Sequence, residues 1–188
     1  MNAKLAAFLI GGLSCGAVLA ADTYTIDSEY TIPEFEVEHL GFTTQRGRFD
    51  KTQGKLRLDF AAKKGSVELT ISTSSLDMGT RAWTLHVSGP GLFDVEHYPT
   101  LTFKSNDLVF EGDKVVAANG HFTLLGVTKP LRVTVNRFAC GNNPVSHKPM
   151  CAGDVSATIK RSDFGMVKYI PTVSDEIKIN VPVEAYKD

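Results

Sequence analysis

Residues 120–135 read GHFTLLGVTKPLRVTV, and this stretch decides the fold that we expect for the chain. Apolar side chains alternate with polar ones on both sides of a polar link at residues 126–130. The apolar face comprises Phe122, Leu124, Leu131, Val133 and Val135. Alternation with a period of two on both sides of a short link predicts an antiparallel hairpin with one apolar face. A lone hairpin cannot bury such a face, so the rest of the chain must close over it.

The same alternation recurs along the chain, at residues 23–26, 31–39, 41–49, 54–60, 66–71, 101–110, 115–125, 155–159 and 177–183. Two positions need special geometry: Gly47 indicates a bulge, and Pro182 needs an edge, a bulge or a seam because proline cannot donate to a ladder. About eight antiparallel strands of this kind either pair into a sandwich or close on themselves. A closed eight-stranded barrel has room inside for side chains or one small ligand.

The alternation breaks at two places, which predict short helices. Within residues 74–98 we expect a helix near residues 81–87, capped by Ser75 or Asp77 and ended by the Gly-Pro-Gly at residues 89–91. A second irregular segment follows at residues 161–166. These insertions fall in the middle of the chain and near its C-terminal third.

The first 21 residues are predicted to be a secretory signal peptide. A basic lead with Lys4 precedes an apolar run at residues 5–19, and cleavage is expected after Ala20 or Ala21. The run is too short for a membrane span, and an uncleaved anchor is the alternative. Residues 22–188 then form one domain, periplasmic or secreted.

The cysteine content predicts a disulfide, and the charge content limits the classes of partner. In an exported chain, Cys140 and Cys151 with loop residues between them predict a disulfide, and they lack the C-x-x-C spacing of a redox pair. The chain carries 20 basic and 21 acidic residues without a basic cluster. Nucleic acid is therefore excluded as a partner.

The histidines are the strongest candidates for catalysis. His39 lies on an apolar face and is either a general base or ligand, or a buried histidine with a backbone or hydroxyl partner. His86 lies in the predicted helix beside Trp83, where it either contacts a head group or faces solvent. Zinc-binding, nucleophile-elbow and phosphate-loop patterns are absent from the sequence, so neither catalysis nor a metal site is predicted.

Polar residues near the irregular segments could hold a ligand's head group. They are Arg81, Arg161 and Asp163, and the alternative for each is turn capping or a surface ion pair. The remaining histidines, His97, His121 and His147, fall in turns or on polar faces and are expected to be solvated.

A series of short motifs covers the whole of residues 22–188. The motifs are FEVEHLG at residues 35–41, GRF at 47–49, His86, FD at 93–94, YPTLTF at 98–103, GVTKP at 126–130 and SDFGM at 162–166. In type and order they resemble the YceI-like family, lipocalin-like periplasmic proteins that bind polyisoprenoids. The resemblance implies an extended eight-stranded antiparallel barrel, an all-β fold, with an apolar tunnel for an isoprenoid tail. Residues 87–89 and Leu92 depart from the family pattern, so the tunnel mouth is expected to differ in width or polarity.

We therefore expect a noncatalytic carrier of a long isoprenoid lipid, a quinone such as ubiquinone-8 or a polyprenyl lipid. Alternatives are a scavenger of lipophilic compounds or antibiotics, and a lipid-modifying enzyme using His39 or His86. Transient membrane contact and a homodimer stay open as further associations. The expected ligand-binding residues are Phe35, Val37, His39, Leu58, Phe60, Leu69, Ile71, Trp83, Leu85, His86, Phe93, Leu101, Phe103, Phe110, Phe122, Leu124, Val133, Phe164, Met166, Ile177 and Ile179.

Overall fold

The computed structural model describes residues 21–188, so the predicted signal peptide lies outside it apart from Ala21. The strands are β1 (Asp22–Ile26), β2 (Glu34–His39), β3 (Thr43–Phe49), β4 (Thr52–Asp59), β5 (Lys64–Ser72), β6 (Leu76–Asp77), β7 (Thr100–Glu111), β8 (Lys114–Leu124), β9 (Val127–Asn142), β10 (Pro149–Lys160) and β11 (Val173–Lys187). One α-helix, α1 (Arg81–Ser88), and two 3-10 turns, Thr73–Ser75 and Arg161–Phe164, complete the described chain. Within residues 21–188, no helix is long and apolar enough to cross a membrane.

Eight of the strands form a closed antiparallel ring. Their order is β1-β4-β5-β7-β8-β9-β10-β11, and β11 pairs back onto β1. The predicted eight-stranded barrel is therefore confirmed. Strands β2, β3 and β6 continue the sheet outward from β11 and enlarge one end of the barrel.

A seam interrupts the pairing of β11. Its residues 185–187 pair with β1, whereas residues 177–180 pair with β2. Pro182 lies between these two stretches, so the predicted seam position is confirmed. The fully buried Thr31 bridges the gap, because its hydroxyl accepts the Glu184 N–H at 3.1 Å and donates to the Glu184 carbonyl at 3.3 Å.

The hairpin of β8 and β9 has a shorter turn than the sequence predicted. Strand β9 already begins at Val127, which pairs with Leu124, so the turn consists of Leu125 and Gly126 alone. Both have positive φ, 50° and 72°. A two-residue turn of this kind matches the twist of paired strands and therefore displaces the predicted five-residue link. Residues 127–130 of that link instead form the exposed first part of β9.

The helix near residues 81–87 and its end at Gly89 are confirmed, but the predicted caps are wrong. The Trp83 N–H donates to the Thr80 hydroxyl at 3.3 Å, while the Ser75 hydroxyl donates to the Ser72 carbonyl and the Asp77 carboxylate accepts the Gly79 N–H. The helix expected near the C-terminal third is the 3-10 turn Arg161–Phe164.

Gly47 does not form the predicted bulge. Strand β3 pairs without interruption with β2, and Gly47 faces Phe35. A Cβ at Gly47 would lie only 2.4 Å from the Phe35 ring and from the Met78 sulfur. The glycine therefore permits close packing rather than an irregular strand.

The predicted disulfide between Cys140 and Cys151 is confirmed. The two cysteines face each other across β9 and β10, near the loop that joins these strands. The disulfide therefore closes the barrel end opposite the turn at Leu125 and Gly126.

Candidate ligand-binding cavity

Two neighbouring chambers occupy the barrel interior. The upper chamber has a volume of about 420 Å³ and the lower one about 130 Å³, and both walls are almost entirely apolar. Ile71, Phe122 and Ile179 line both chambers, so these side chains lie between them. A volume of a few hundred Å³ is typical of small-molecule sites.

The upper chamber opens at one end of the barrel, within a structure that we call the mouth rim. It consists of the β2–β3 turn (residues 40–42), α1 and the loop of residues 165–172. The His39 and Trp83 rings lie 5.8 Å apart, and His86 stacks on Tyr169 at 5.7 Å. Leu40 donates its N–H to the Thr172 carbonyl at 2.9 Å. These contacts join the three segments around the opening.

Most of the predicted ligand-binding residues lie on the chamber walls. Those lining the upper chamber are Phe35, Val37, His39, Ile71, Trp83, His86, Phe93, Leu101, Phe122, Leu124, Met166, Ile177 and Ile179. Leu69, Phe103 and Val133 line the lower chamber only. The position of those in strands follows from the period-two pattern, which points alternate side chains of each strand into the barrel.

Five predicted residues line neither chamber. Leu58 is buried in the core, and Phe60 packs against Phe110 with ring centroids 6.2 Å apart. Phe164 is buried and packs edge-on against Phe122, and Leu85 points to solvent with 64% of its surface exposed. Sequence periodicity identifies the face of a strand residue but not its depth along the barrel, and it does not apply to Leu85 in α1 or to Phe164 in the 3-10 turn.

About half of the upper wall lies outside the set of predicted ligand-binding residues. Arg161 was predicted only as a head-group candidate, and Val87 and Leu92 only as departures from the family pattern at the mouth. The full list is Pro33, Glu34, Leu40, Gln45, Phe49, Met78, Val87, Leu92, Ile159, Arg161, Tyr169, Thr172 and Val173. Ile159 alternates with Val155 and Ala157, and Phe49 belongs to the GRF motif, so both carried a usable signal. Most of the others lie in turns or loops that have no periodicity.

Arg161 shapes the mouth rim from inside. Its side chain is 2% exposed, and its guanidinium donates to the carbonyls of Ser174, Met166, Lys168 and Val173 at 2.8–2.9 Å. Burial lowers the pKa of Arg161, and the charge of Asp175 opposes that shift. Most of its donors are engaged by the loop, so Arg161 holds the loop in place rather than offering a free charge to a ligand.

The same turn is anchored by a carboxylate. Ser162 donates its hydroxyl and its N–H to Asp175 at 2.7 and 2.8 Å, and these hydrogen bonds lower the pKa of Asp175. The other two head-group candidates, Arg81 and Asp163, are exposed.

Two histidines face the upper chamber, each against an aromatic ring. Within residues 21–188, neither His39 nor His86 hydrogen-bonds a carboxylate, and no three His, Cys, Asp or Glu side chains lie close enough to hold a metal ion. The exposed His97 bonds Asp94 at 2.9 Å, which raises the pKa of the histidine.

The closed antiparallel barrel with an apolar interior defines a lipocalin-like β-barrel protein. Within this class, the chain belongs to the YceI-like family, whose domain model, described as "YceI-like domain", matches residues 24–185. A UPF0312 protein of Pseudomonas aeruginosa is 31% identical over 192 residues, which cover 100% of this chain and 99% of the relative. A UPF0312 protein of Yersinia pestis is 30% identical over 98% of this chain and 97% of its own.

Solved structures agree on the architecture. BcnA of Burkholderia cenocepacia superposes with a TM-score of 0.68 at 25% identity, covering 85% of this chain and 98% of its own. A polyisoprenoid binding domain from Saccharophagus degradans, described as implicated in plant cell wall breakdown, gives a TM-score of 0.64. The superposition covers 88% of this chain and 98% of the Saccharophagus chain. The two sequences are 16% identical, so that likeness concerns the fold alone.

Proposed function

We propose that this protein is an exported, noncatalytic carrier that holds an isoprenoid lipid in the barrel. The apolar two-chamber cavity is the observation that carries the proposal. Family membership and the fold shared with a polyisoprenoid binding domain support it. The Cys140–Cys151 disulfide supports a periplasmic or secreted location, because disulfides persist in oxidising compartments.

The energetics of a prenyl tail suit a carrier. Burying about forty carbons at about 0.8 kcal/mol per methylene gives a gross term of about 30 kcal/mol. Observed affinities stop near about −18 to −21 kcal/mol, so ordering costs consume much of that term. A bilayer is itself apolar, so transfer from bilayer to cavity is close to balanced. Such a protein shields the lipid from water and can also return it.

The polar groups at the mouth support a neutral head group, such as the ring of ubiquinone-8. Quinone carbonyls accept hydrogen bonds, and His39, His86 and Tyr169 supply ring N–H and O–H donors on the wall of the upper chamber. The flat Trp83 and Tyr169 rings offer surfaces for stacking. Arg161 is engaged by backbone carbonyls, which disfavours a head group that needs a buried cation.

A transfer assay tests the proposal. Protein stripped of lipid is incubated with vesicles that contain ubiquinone-8, and the quinone in the separated protein is quantified. We expect close to one quinone per chain. Replacing Ile177→Trp fills the upper chamber and should reduce uptake at least tenfold, whereas the exposed neighbour in Lys178→Trp should not. Failure to take up any isoprenoid quinone would refute the proposal.

Two other functions would use the same cavity. His39 and His86 on its wall are the observation that favours a lipid-modifying enzyme, which would release a chemically altered lipid. Mass spectrometry of the recovered quinone distinguishes the two, since a carrier returns it intact. The unspecific apolar wall also suits a scavenger of lipophilic compounds or antibiotics. Equal competition by such compounds against ubiquinone-8 would favour the scavenger.

A further inference from the structure

Large exposed apolar side chains are concentrated on the mouth rim. Phe42 is 89% exposed, Leu85 64% and Val167 61%. Of the ten large hydrophobic side chains exposed in the described part of the chain, six lie on this rim: Leu40, Phe42, Trp83, Leu85, Val167 and Tyr169. Exposed apolar groups gathered in this way mark an interaction surface rather than ordinary surface scatter.

The charge of the rim has one sign. Its three segments contain the cations Arg81 and Lys168 and no aspartate or glutamate, in a chain whose net charge is −1. Lys168 lies over the Tyr169 ring, with its Nζ 5.2 Å from the ring centroid, and is exposed. Three carboxylates flank the rim on one side, because Glu36, Glu38 and Glu176 line a groove together with Gly41 and Phe42.

This combination is typical of a protein surface that lies in the headgroup region of a bilayer. Tryptophan and tyrosine favour that region because one end of each ring is apolar and the other polar. Lysine and arginine place their alkyl stems on apolar groups and their charges among anionic phosphates. Leucine, valine and phenylalanine reach the acyl boundary.

We propose that the mouth rim docks onto a bilayer containing anionic phospholipid, with Phe42, Leu85 and Val167 inserted among the headgroups. The upper chamber opens within this rim, so a docked protein exchanges lipid with the bilayer without exposing it to water. The inference rests on the proposed function for its purpose, but the docking itself is measurable without any isoprenoid.

Charge argues against a second copy of the chain as the occupant. A two-fold interface brings the same patch of both copies together. Arg81 and Lys168 would then face their own counterparts with no carboxylate on the rim segments to balance them. Like charges brought together in this way disfavour the pairing.

Trp83 is a native probe of docking, because the chain contains a single tryptophan and that residue lies on the rim, 39% exposed. The protein is mixed with vesicles of equal parts phosphatidylcholine and phosphatidylglycerol, without isoprenoid. We expect flotation with the vesicles, a blue shift of Trp83 emission and quenching by brominated acyl chains. Vesicles of phosphatidylcholine alone should bind at least tenfold more weakly.

Variants locate the contact on the rim. Phe42→Ser should weaken vesicle binding about tenfold, because the phenyl ring no longer leaves water. Lys168→Gln should weaken it about fivefold, the usual contribution of one cation near an anionic surface. Val145→Ser is the matched control, since Val145 is 87% exposed beside the disulfide at the opposite end of the barrel and should bind as the unaltered protein does.

Equal binding of Phe42→Ser and Val145→Ser, or no quenching of Trp83, would overturn the proposal. So would a dimer that Phe42→Ser dissociates while vesicles remain unbound, which would assign the rim to a second copy. Uptake of ubiquinone-8 added from ethanol separates the two proposals. Uptake of the quinone without docking would support the carrier function and refute the membrane-docking rim. Docking without uptake would support the membrane-docking rim and refute the carrier function.

Discussion

At the scale of single residues, side chains complete the barrel where its backbone ladder fails. The hydroxyl of Thr31 hydrogen-bonds the backbone N–H and the backbone carbonyl of Glu184 at the seam of β11. The Thr31 carbonyl in turn accepts a hydrogen bond from the Thr52 hydroxyl at 2.9 Å. Thr31 is 0% exposed, so no water replaces these bonds. The seam allows one strand to serve both the closed ring and the extension that carries part of the mouth rim.

Replacing Thr31→Val keeps the shape of the side chain and leaves the partly buried Glu184 N–H without this partner. The free energy of unfolding should fall by about 1–3 kcal/mol, the cost of an unsatisfied buried polar group. Urea denaturation measures it. Thr134→Val, at an exposed position of β9, should change stability by less than about 0.5 kcal/mol. Equal effects of the two substitutions would show that the seam bond contributes nothing.

Asp175 predicts a pH dependence of stability. Its pKa is lowered in the folded protein by the hydrogen bonds from Ser162. The carboxylate therefore stabilises the fold above its ordinary pKa of about 3.9, and this contribution is lost as the pH falls through the lower folded value. Asp175→Asn should be less stable than the unaltered protein at neutral pH, and the difference should shrink below about pH 4.

Denaturation series at neutral and acid pH measure that difference. Asp163→Asn, an exposed position in the same 3-10 turn, is the matched control and should stay within about 0.5 kcal/mol at neutral pH. A gap for Asp175→Asn that does not depend on pH would contradict this account of the carboxylate.

At this scale the sequence predicted orientation well and partners poorly. Phe35, Val37 and His39 were placed on one face by alternation alone, and all three line the upper chamber. The role of Arg161 could not be predicted, because its partners are backbone carbonyls of a loop whose course no pattern reveals.

At the scale of elements, strand β10 forms part of the wall of the lower chamber. Ala157 lines that chamber and pairs with Ile179, which lies between the two chambers. The small side chain of Ala157 leaves space that a larger side chain would fill. Under the proposed function, this residue would therefore affect the length of tail that the barrel accepts.

Ala157→Phe should fill the lower chamber and favour short tails over long ones. We expect the affinity for ubiquinone-8 to fall about tenfold or more, while that for a quinone with a short prenyl tail changes little, since its tail remains in the upper chamber. Competition binding measures the ratio of the two. Thr158→Phe, at the exposed neighbouring position, should leave the ratio unchanged. A proportional loss of both quinones in Ala157→Phe would contradict the two-chamber reading.

The disulfide staples β9 to β10 near the loop that joins them. Replacing Cys140→Ser together with Cys151→Ala should lower the free energy of unfolding by about 2–3 kcal/mol, because a short loop is no longer closed in the unfolded chain. Guanidinium denaturation with and without reductant measures it. Reductant should destabilise the unaltered protein and not the variant. An equal response of both proteins would show that the disulfide does not stabilise the fold.

Strands with strong periodicity and the helix with a clear terminating signal were predictable from the sequence, whereas short turns were not. Helix α1 follows from the broken alternation and the Gly-Pro-Gly that ends it. The turn at Leu125 and Gly126 was missed because a leucine with positive φ has no sequence signal, whereas the residues after it resemble a loop in composition.

At the scale of the whole molecule, the two ends of the barrel differ. One end is closed by the β1–β11 pairing and stapled nearby by the disulfide, and the other is widened by β2, β3 and β6 beneath the mouth rim. The period-two pattern predicted many inward faces without showing which strands pair. Closure itself was expected from the family resemblance. Its register depends on contacts between residues far apart in the chain, such as Tyr24 with Lys187.

The central claim is that the inward-facing apolar side chains leave a continuous cavity that an isoprenoid tail fills. Native mass spectrometry of the protein purified without detergent from its native cells measures this most directly. We expect a bound species whose mass, after extraction, is that of an intact isoprenoid quinone. A spectrum that shows only the mass of the protein alone, with no added mass after incubation with isoprenoid quinones, would contradict the claim.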